Sequence, residues 1–229
     1  MDKEIIVTLT SWKKRIKFVP KVIYMMTQQS IKPTKIILNL SSDEFSQKEN
    51  ELPEDLIILQ QNLDNFEIYW VKENTKAFKK LLPTLKRYID RDCWILTIDD
   101  DCIYDRTYIE FMIKTASHYS NYCITPGGAG LWPHGAAMIY DTKFFKNKSV
   151  FNITVEEQNK IIASDKWYEA AIKSNGYNFY RVREISNHIK FINAGNPLGK
   201  LYYTPEQIKF RKKFITDRFK EMGYNITIG

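Results

Sequence analysis

The stretch Cys93-Trp94-Ile95-Leu96-Thr97-Ile98-Asp99-Asp100-Asp101 sets a short apolar, β-prone run directly before three consecutive carboxylates. A continuous run of this kind, with charge on both sides, reads as a strand buried on both faces of a parallel sheet. Ligands of such sheets bind at the carboxyl ends of the strands. If the strand continues through Asp101, alternation turns Asp99 and Asp101 to one face and Asp100 to the other. Two convergent anions repel unless a cation lies between them, and a hard divalent ion with oxygen ligands answers that need. A solvated acidic turn closing the strand is the alternative.

Upstream of this strand the pattern alternates between extended and helical segments. Ile5 to Leu9, Lys35 to Leu40 and Phe66 to Val71 read as strands, and Val19, Val22, Ile23 and Met26 recur at helical spacing. A further helical stripe, Phe78, Leu81, Leu82, Leu85, Tyr88 and Ile89, contains Pro83, which must kink it or start a new turn. Downstream, Tyr108, Phe111, Met112, Thr115, Ala116 and Tyr119 form a clean amphipathic helix. This rhythm predicts an α/β fold, a mostly parallel sheet with helices on both faces. After Tyr122, Thr125 to Gly135 is rich in glycine and proline around Trp132 and reads as a loop. Ser164 is placed to cap a helix running through Asp165, Trp167, Tyr168, Ala171 and Ile172 to the stop signal Asn175-Gly176.

Composition narrows the class. The chain of 229 residues is 44% hydrophobic and 14% aromatic, which excludes disorder, and no apolar stretch is long enough to span a bilayer. A net charge of +7 implies an anionic partner. Three scattered cysteines and an N-terminus without a signal-peptide pattern predict a cytoplasmic protein. The division expected is a main domain over 1–200 and a basic helical extension over 201–229. In that extension Ile208, Ile215, Phe219 and Met222 share one stripe, while Phe210 and Phe214 lie on the other side among Lys209, Lys212, Lys213 and Lys220. The second side could meet the inner face of a membrane peripherally, or be covered by another loop or a second subunit.

Four elements in order carry a resemblance: Thr8-Leu9-Thr10-Ser11-Trp12-Lys13-Lys14-Arg15-Ile16, Lys79-Lys80-Leu81-Leu82-Pro83, Ile98-Asp99-Asp100-Asp101, and Ala163-Ser164-Asp165-Lys166-Trp167. Over most of the first 180 residues the chain resembles the GT-A glycosyltransferases, particularly small bacterial sugar transferases related to the inverting family 2. The resemblance implies a Rossmann-like GT-A fold and a metal-dependent transfer of sugar from a nucleoside diphosphate sugar, by default UDP-linked, to a glycan or lipid-linked hydroxyl.

The same resemblance assigns roles to residues. Thr10 and Ser11 would line the nucleotide, with Arg15 and Lys80 facing the phosphates. Asp99 and Asp100 would serve the donor, and Asp101 with Asp99 would hold Mn²⁺ or Mg²⁺, a late histidine, His188, completing the shell. Asp165 matches the carboxylate that deprotonates the acceptor. Here the usual preceding acid is Ser164, and Lys166 follows, placed to pair with Asp165. Gly128, Trp132 and His134 in the glycine-rich loop are candidates for the acceptor. Inversion is the expected outcome, with retention left open because one sequence does not set the angle between Asp165 and donor.

Other classes share parts of this pattern. An Asp-based phosphohydrolase also uses Asp-x-Asp after a strand, but on the first strand of its sheet, whereas here three precede it. A nucleotidyltransferase would carry a glycine-rich phosphate loop where this chain has Thr10 to Arg15. A basic nucleic-acid-binding module with stacking aromatics would be repelled by the acidic triplet.

Overall fold

Period-two alternation sorts the strands' side chains into two cores, one on each face of a central sheet. The structure is a computed structural model, describing residues 3–127, 134–192 and 204–228, with only the backbone of His134. In β1 (Glu4–Thr10), Val7 and Leu9 enter one core and Ile6 the other. In β2 (Lys35–Ser41), Ile36, Leu38 and Leu40 oppose Ile37, and in β4 (Cys93–Ile98), Leu96 and Ile98 oppose Cys93 and Ile95. Strands buried on both faces need apolar residues at consecutive positions, which is why these segments read as unbroken apolar runs.

The seven-stranded sheet has the order β3-β2-β1-β4-β7-β6-β8, where β3 is Phe66–Val71, β6 Tyr122–Pro126, β7 Ala137–Asp141 and β8 Asn178–Val182. β1 pairs in parallel with β2 and β4, and β2 with β3. β7 runs antiparallel to both β4 and β6, while β6 and β8 are parallel. A second ladder, β5 (Cys102–Tyr104) against β9 (Ile189–Phe191), lies just beyond the end of β4.

One core is closed by α1 (Val19–Thr27), α2 (Glu54–Asn62) and α4 (Tyr108–His118). The other is closed by α3 (Leu82–Tyr88), α6 (Asp165–Ser174) and α7 (Pro205–Glu221), with α5 (Val155–Ile161) contributing Ile161. The Trp167 indole donates to the Val150 carbonyl at 2.9 Å and meets the Phe219 ring at 4.9 Å, so α6 and α7 share one packed seam.

Several local readings hold. Pro83 lies in the first turn of α3, after a 3-10 turn over Lys76–Lys80, a position where the helix needs no N–H from it. Gly176, at φ +80°, ends α6 in the left-handed conformation that glycine tolerates.

Other readings need correction. The loop read from Thr125 begins as strand: Thr125 and Pro126 complete β6, and β7 follows a short turn from His134. Ser164 occupies the N-cap position of α6 but makes no capping hydrogen bond, its backbone being already helical. On α7 the docked residues are Arg211, Ile215 and Phe219. Ile208, expected to dock, is exposed, and Phe214, expected to face away, is half-buried against the core. Among the described residues no helix is long and apolar enough to cross a membrane.

Candidate active site

β4 ends at Ile98, so the acidic triplet occupies the turn into β5 rather than strand. Asp99 and Asp101 still converge, but the turn and its partners arrange this, not alternation. Oxygens of Asp99 and Asp101 and the Cys102 sulfur all lie within 4.8 Å of one another. Asp100 is buried and points to the loop after β1, where Ser11 Oγ donates to it at 2.6 Å and Arg15 forms an ion pair with it. Arg15 also reaches Asp101 at 2.9 Å. The guanidinium expected to await phosphate is therefore engaged by the acids. The same loop buries two donors without a hydrogen-bond partner among the described residues, Trp12 Nε1 and Arg15 Nε. Thr10, expected to line the nucleotide, donates its hydroxyl to the Asn39 carbonyl at 2.7 Å.

Lys80, in the 3-10 turn before α3, forms an ion pair with Asp99 and donates to the Gly135 carbonyl at 3.2 Å. A Cβ on Gly135 would lie 3.2 Å from Lys80 Nζ and 3.2 Å from Asp165 Oδ1, so a side chain here would crowd both charged groups where they meet beside it. Asp99, Lys80 and Asp165, from three separate elements, thus form one cluster at the carboxyl end of β4. Lys166 instead pairs with Glu169 at 2.8 Å, which corrects the expected pairing with Asp165.

Asp165 follows a strained turn. Ile162, a β-branched residue, has φ +62° and ψ −55°, and Ala163 N donates back to the Ile161 carbonyl at 2.7 Å. This is the rare positive-φ γ-turn, costly for a branched side chain. Asp165 also borders a cavity of about 260 Å³ between α6 and strands β6 and β8, whose other lining residues include Thr125, Lys166, Glu169, Lys173, Phe179 and Arg181.

Charge sets the protonation states. Burial raises the Asp101 pKa to about 6, with Asp99 and Asp100 adding repulsion that Arg15 and Lys80 only partly offset. Burial alone would lower the Lys80 pKa, but the Asp99, Asp165 and Asp100 carboxylates outweigh it and raise the ammonium's pKa. Two hard carboxylates whose negative charge Arg15 and Lys80 only partly offset suit Mg²⁺ or Mn²⁺. Cys102 fits less well: burial drives its pKa far up, leaving a neutral thiol rather than a ligand thiolate.

His188 is not in this cluster. Its Nδ1 lies 2.8 Å from Asp105 Oδ2 and 3.3 Å from Thr107 Oγ1, and its ring packs on Phe111 at 4.4 Å. β9 carries it along β5 away from the acidic turn, since Asp105 N bonds its carbonyl while Ile192 N bonds that of Asp101. Gly128 and Trp132, and the His134 side chain, lie outside the described residues.

Sequence reading missed Tyr104, whose buried hydroxyl accepts from Asp99 N and donates to the Ala136 carbonyl, each at 2.7 Å, clamping the acidic turn to the turn before β7. It also missed Thr8, Asn39 and Thr84. Thr8 Oγ1 donates to the Lys80 carbonyl at 2.6 Å, and Asn39 Nδ2 donates to Thr8 at 2.9 Å and Thr84 at 3.1 Å. Pro83 has no N–H to return to the Lys80 carbonyl in 3-10 fashion, and these side chains supply a donor. Polar residues inside the apolar runs of β1 and β2 were the available signal.

The strand order, the reversed β7 and the acidic turn at the end of β4 define a GT-A fold, the architecture of Rossmann-like glycosyltransferases. Among solved structures, S. aureus TarS shares it: the 1–349 fragment in complex with UDP-GlcNAc superposes with a TM-score of 0.57 at 12% identity, covering 94% of this chain and 66% of that one. The same fragment in complex with UDP gives 0.54 at 11%, covering 94% and 65%, and a longer TarS chain gives 0.56 at 10%, covering 93% and 39%. This chain therefore spans less than two-thirds of each of these TarS chains, and at such identity the likeness is one of fold. No family model matches the sequence, and no curated protein matches it.

Proposed function

We propose that this chain is a glycosyltransferase that moves a sugar from a UDP-linked donor to a hydroxyl of a glycan or lipid-linked acceptor, using Mn²⁺ or Mg²⁺. The observation that carries the reading is the position of Asp165, which borders both the Lys80–Asp99 cluster and a separate cavity. Proximity to both is what a group needs to act between a donor and an acceptor. The fold supports the donor class, since TarS structures with this architecture hold UDP and UDP-GlcNAc.

In this reading Asp165 accepts the acceptor's hydroxyl proton as that oxygen bonds the anomeric carbon. The bond from that carbon to the diphosphate breaks, and the electron pair leaves with UDP. Lys80, kept protonated by Asp99 and Asp165, faces the charge that develops on the departing phosphate. Attack from the side opposite the diphosphate gives inversion. A divalent ion held by Asp99 and Asp101 would supply further neutralisation of the diphosphate. Arg15 and Ser11 hold Asp100 and so brace the turn that carries both ligands.

A screen of common nucleotide sugars with Mn²⁺ present, scoring nucleotide release, tests the proposal. Release from one UDP-sugar, abolished by a chelator and restored by Mn²⁺, is the expected result. Failure of every nucleotide sugar to bind or turn over overturns it.

A further inference from the structure

The cavity beside Asp165 has a wall whose charges the transfer chemistry does not use. Helix α6 presents Asp165, Lys166, Glu169 and Lys173 along it, and β8 contributes Asn178, Phe179 and Arg181. Glu169 is largely buried and takes ion pairs from Lys166 and Lys173, both at 2.8 Å, which fixes the two ammonium groups at the cavity. Lys173 also donates to the Thr227 carbonyl at 2.7 Å. Arg181 has no carboxylate partner among the described residues. Three cations thus face two carboxylates, one of which is shared between two of the cations. Beneath them, buried Thr125 and Met138 with half-buried Phe179 offer a floor on which a carbon skeleton can lie.

We infer that this cavity is an acceptor subsite for a sugar or polyol that carries an anionic group, phosphate or carboxylate, near the reacting hydroxyl. The inference rests on the glycosyltransferase reading for the role of Asp165, but the ligand class comes from the cavity itself. The turn from α6 into β8 gives the orientation. The chain reverses through Asn175-Gly176, so Asn178 lies near the Lys173 end of the cavity and Arg181, paired with Thr125 on β6, lies toward the Asp165 end. A hydroxyl at Asp165 therefore leaves the anion beside Arg181 and Lys166. Charge-assisted hydrogen bonds from an arginine and lysines held by Glu169 favour phosphate or carboxylate over a neutral group. A cavity of about 260 Å³ is small for a ligand site and suits one such unit.

Calorimetry on the full chain tests this with glycerol 3-phosphate and glucuronate as anionic probes, glycerol and glucose as neutral counterparts, and UDP as a separate titrant. The expected result is binding of at least one anionic probe in the presence of saturating UDP, weakened about tenfold or more by raising the salt and by Arg181→Ala. Lys166→Ala should weaken it as well, with UDP affinity unchanged in both variants. Which anionic probe binds identifies the anion. The inference is overturned if neutral and anionic probes bind alike, if neither anionic probe binds while UDP does, if UDP displaces the bound probe, or if Arg181→Ala and Lys166→Ala leave probe binding intact. If the anionic probe binds as expected but no nucleotide or nucleotide sugar does, the anion site stands and the glycosyltransferase reading falls.

Discussion

Asp101 carries a cost that a cation would remove. Its pKa in the folded chain is about 6, against 3.8 for the ordinary carboxylate, so the folded state holds this proton more tightly than the unfolded one. Stability from this group is complete below about pH 4 and is lost as pH rises through about 6. Asp101→Asn should therefore stabilise metal-free protein at about pH 7.5 by up to ~2–3 kcal/mol, read as a higher melting temperature, and leave it unchanged near pH 4. Thermal melts of the two proteins across that range check the sign, and a variant less stable at neutral pH would refute the charge argument. Added Mn²⁺ should stabilise the wild type at neutral pH and not the variant. Asp165 makes a different prediction. Asp165→Asn should lower turnover by a factor on the order of a hundred or more while leaving donor affinity nearly intact. Calorimetric UDP-sugar binding beside steady-state rates separates the two effects, and unchanged turnover removes Asp165 from the chemistry.

At the scale of elements, the junction between α5 and α6 stores strain next to the proposed base, Asp165. Ile162 at φ +62° is held there by the turn to Ala163, and such a conformation costs roughly 1–3 kcal/mol in a branched residue. Ile162→Gly should raise thermal stability, because glycine adopts this conformation freely, and should lower turnover more than donor affinity, because Asp165 loses part of its constraint. A variant with unchanged stability and unchanged rate would show the turn to be incidental. Helix α7 carries a surface prediction of its own. Phe210 is 48% and Ile208 46% exposed, beside Lys209, Lys212 and Lys213, while Ile215 and Phe219 bind the helix to α6. An exposed apolar pair among lysines fits the headgroup region of an anionic bilayer. Flotation with phosphatidylglycerol-containing vesicles should recover the wild type and not Ile208→Ser/Phe210→Ser, with the fold checked by melting. A wild type that stays at the bottom of the gradient excludes this role.

Across the whole molecule, the position of Lys80 depends on three elements that meet under it. Thr8 of β1, Asn39 of β2 and Thr84 of α3 form a buried network against the Lys80 carbonyl, so the register between β1 and β2 is linked to the place of the Lys80 ammonium. Thr8→Val removes the donor and leaves buried polar groups unpaired, at a cost of about 1–3 kcal/mol. The expected result is a lower melting temperature together with weaker UDP binding, both recovered in Thr8→Ser. Loss of stability with undiminished UDP affinity would confine the network to a structural role.

Strands β1 to β4, the helices α1, α3, α4 and α6, and the acidic triplet at the sheet's carboxyl edge were determined by the sequence alone. Periodicity, apolar runs, Pro83 at the start of α3 and Gly176 at the end of α6 are local properties, and local properties are legible in one dimension. Only the tertiary structure decided which side chains meet. β7 is short, reversed and preceded by a proline- and glycine-rich stretch, so neither its existence nor its insertion beside β4 could be read, yet that insertion brings Gly135 between Lys80 and Asp165. The same dependence on distant neighbours gave Arg15 to Asp100 and Asp101, His188 to Asp105 and Lys166 to Glu169, because a charged side chain pairs with whatever the fold brings within its reach.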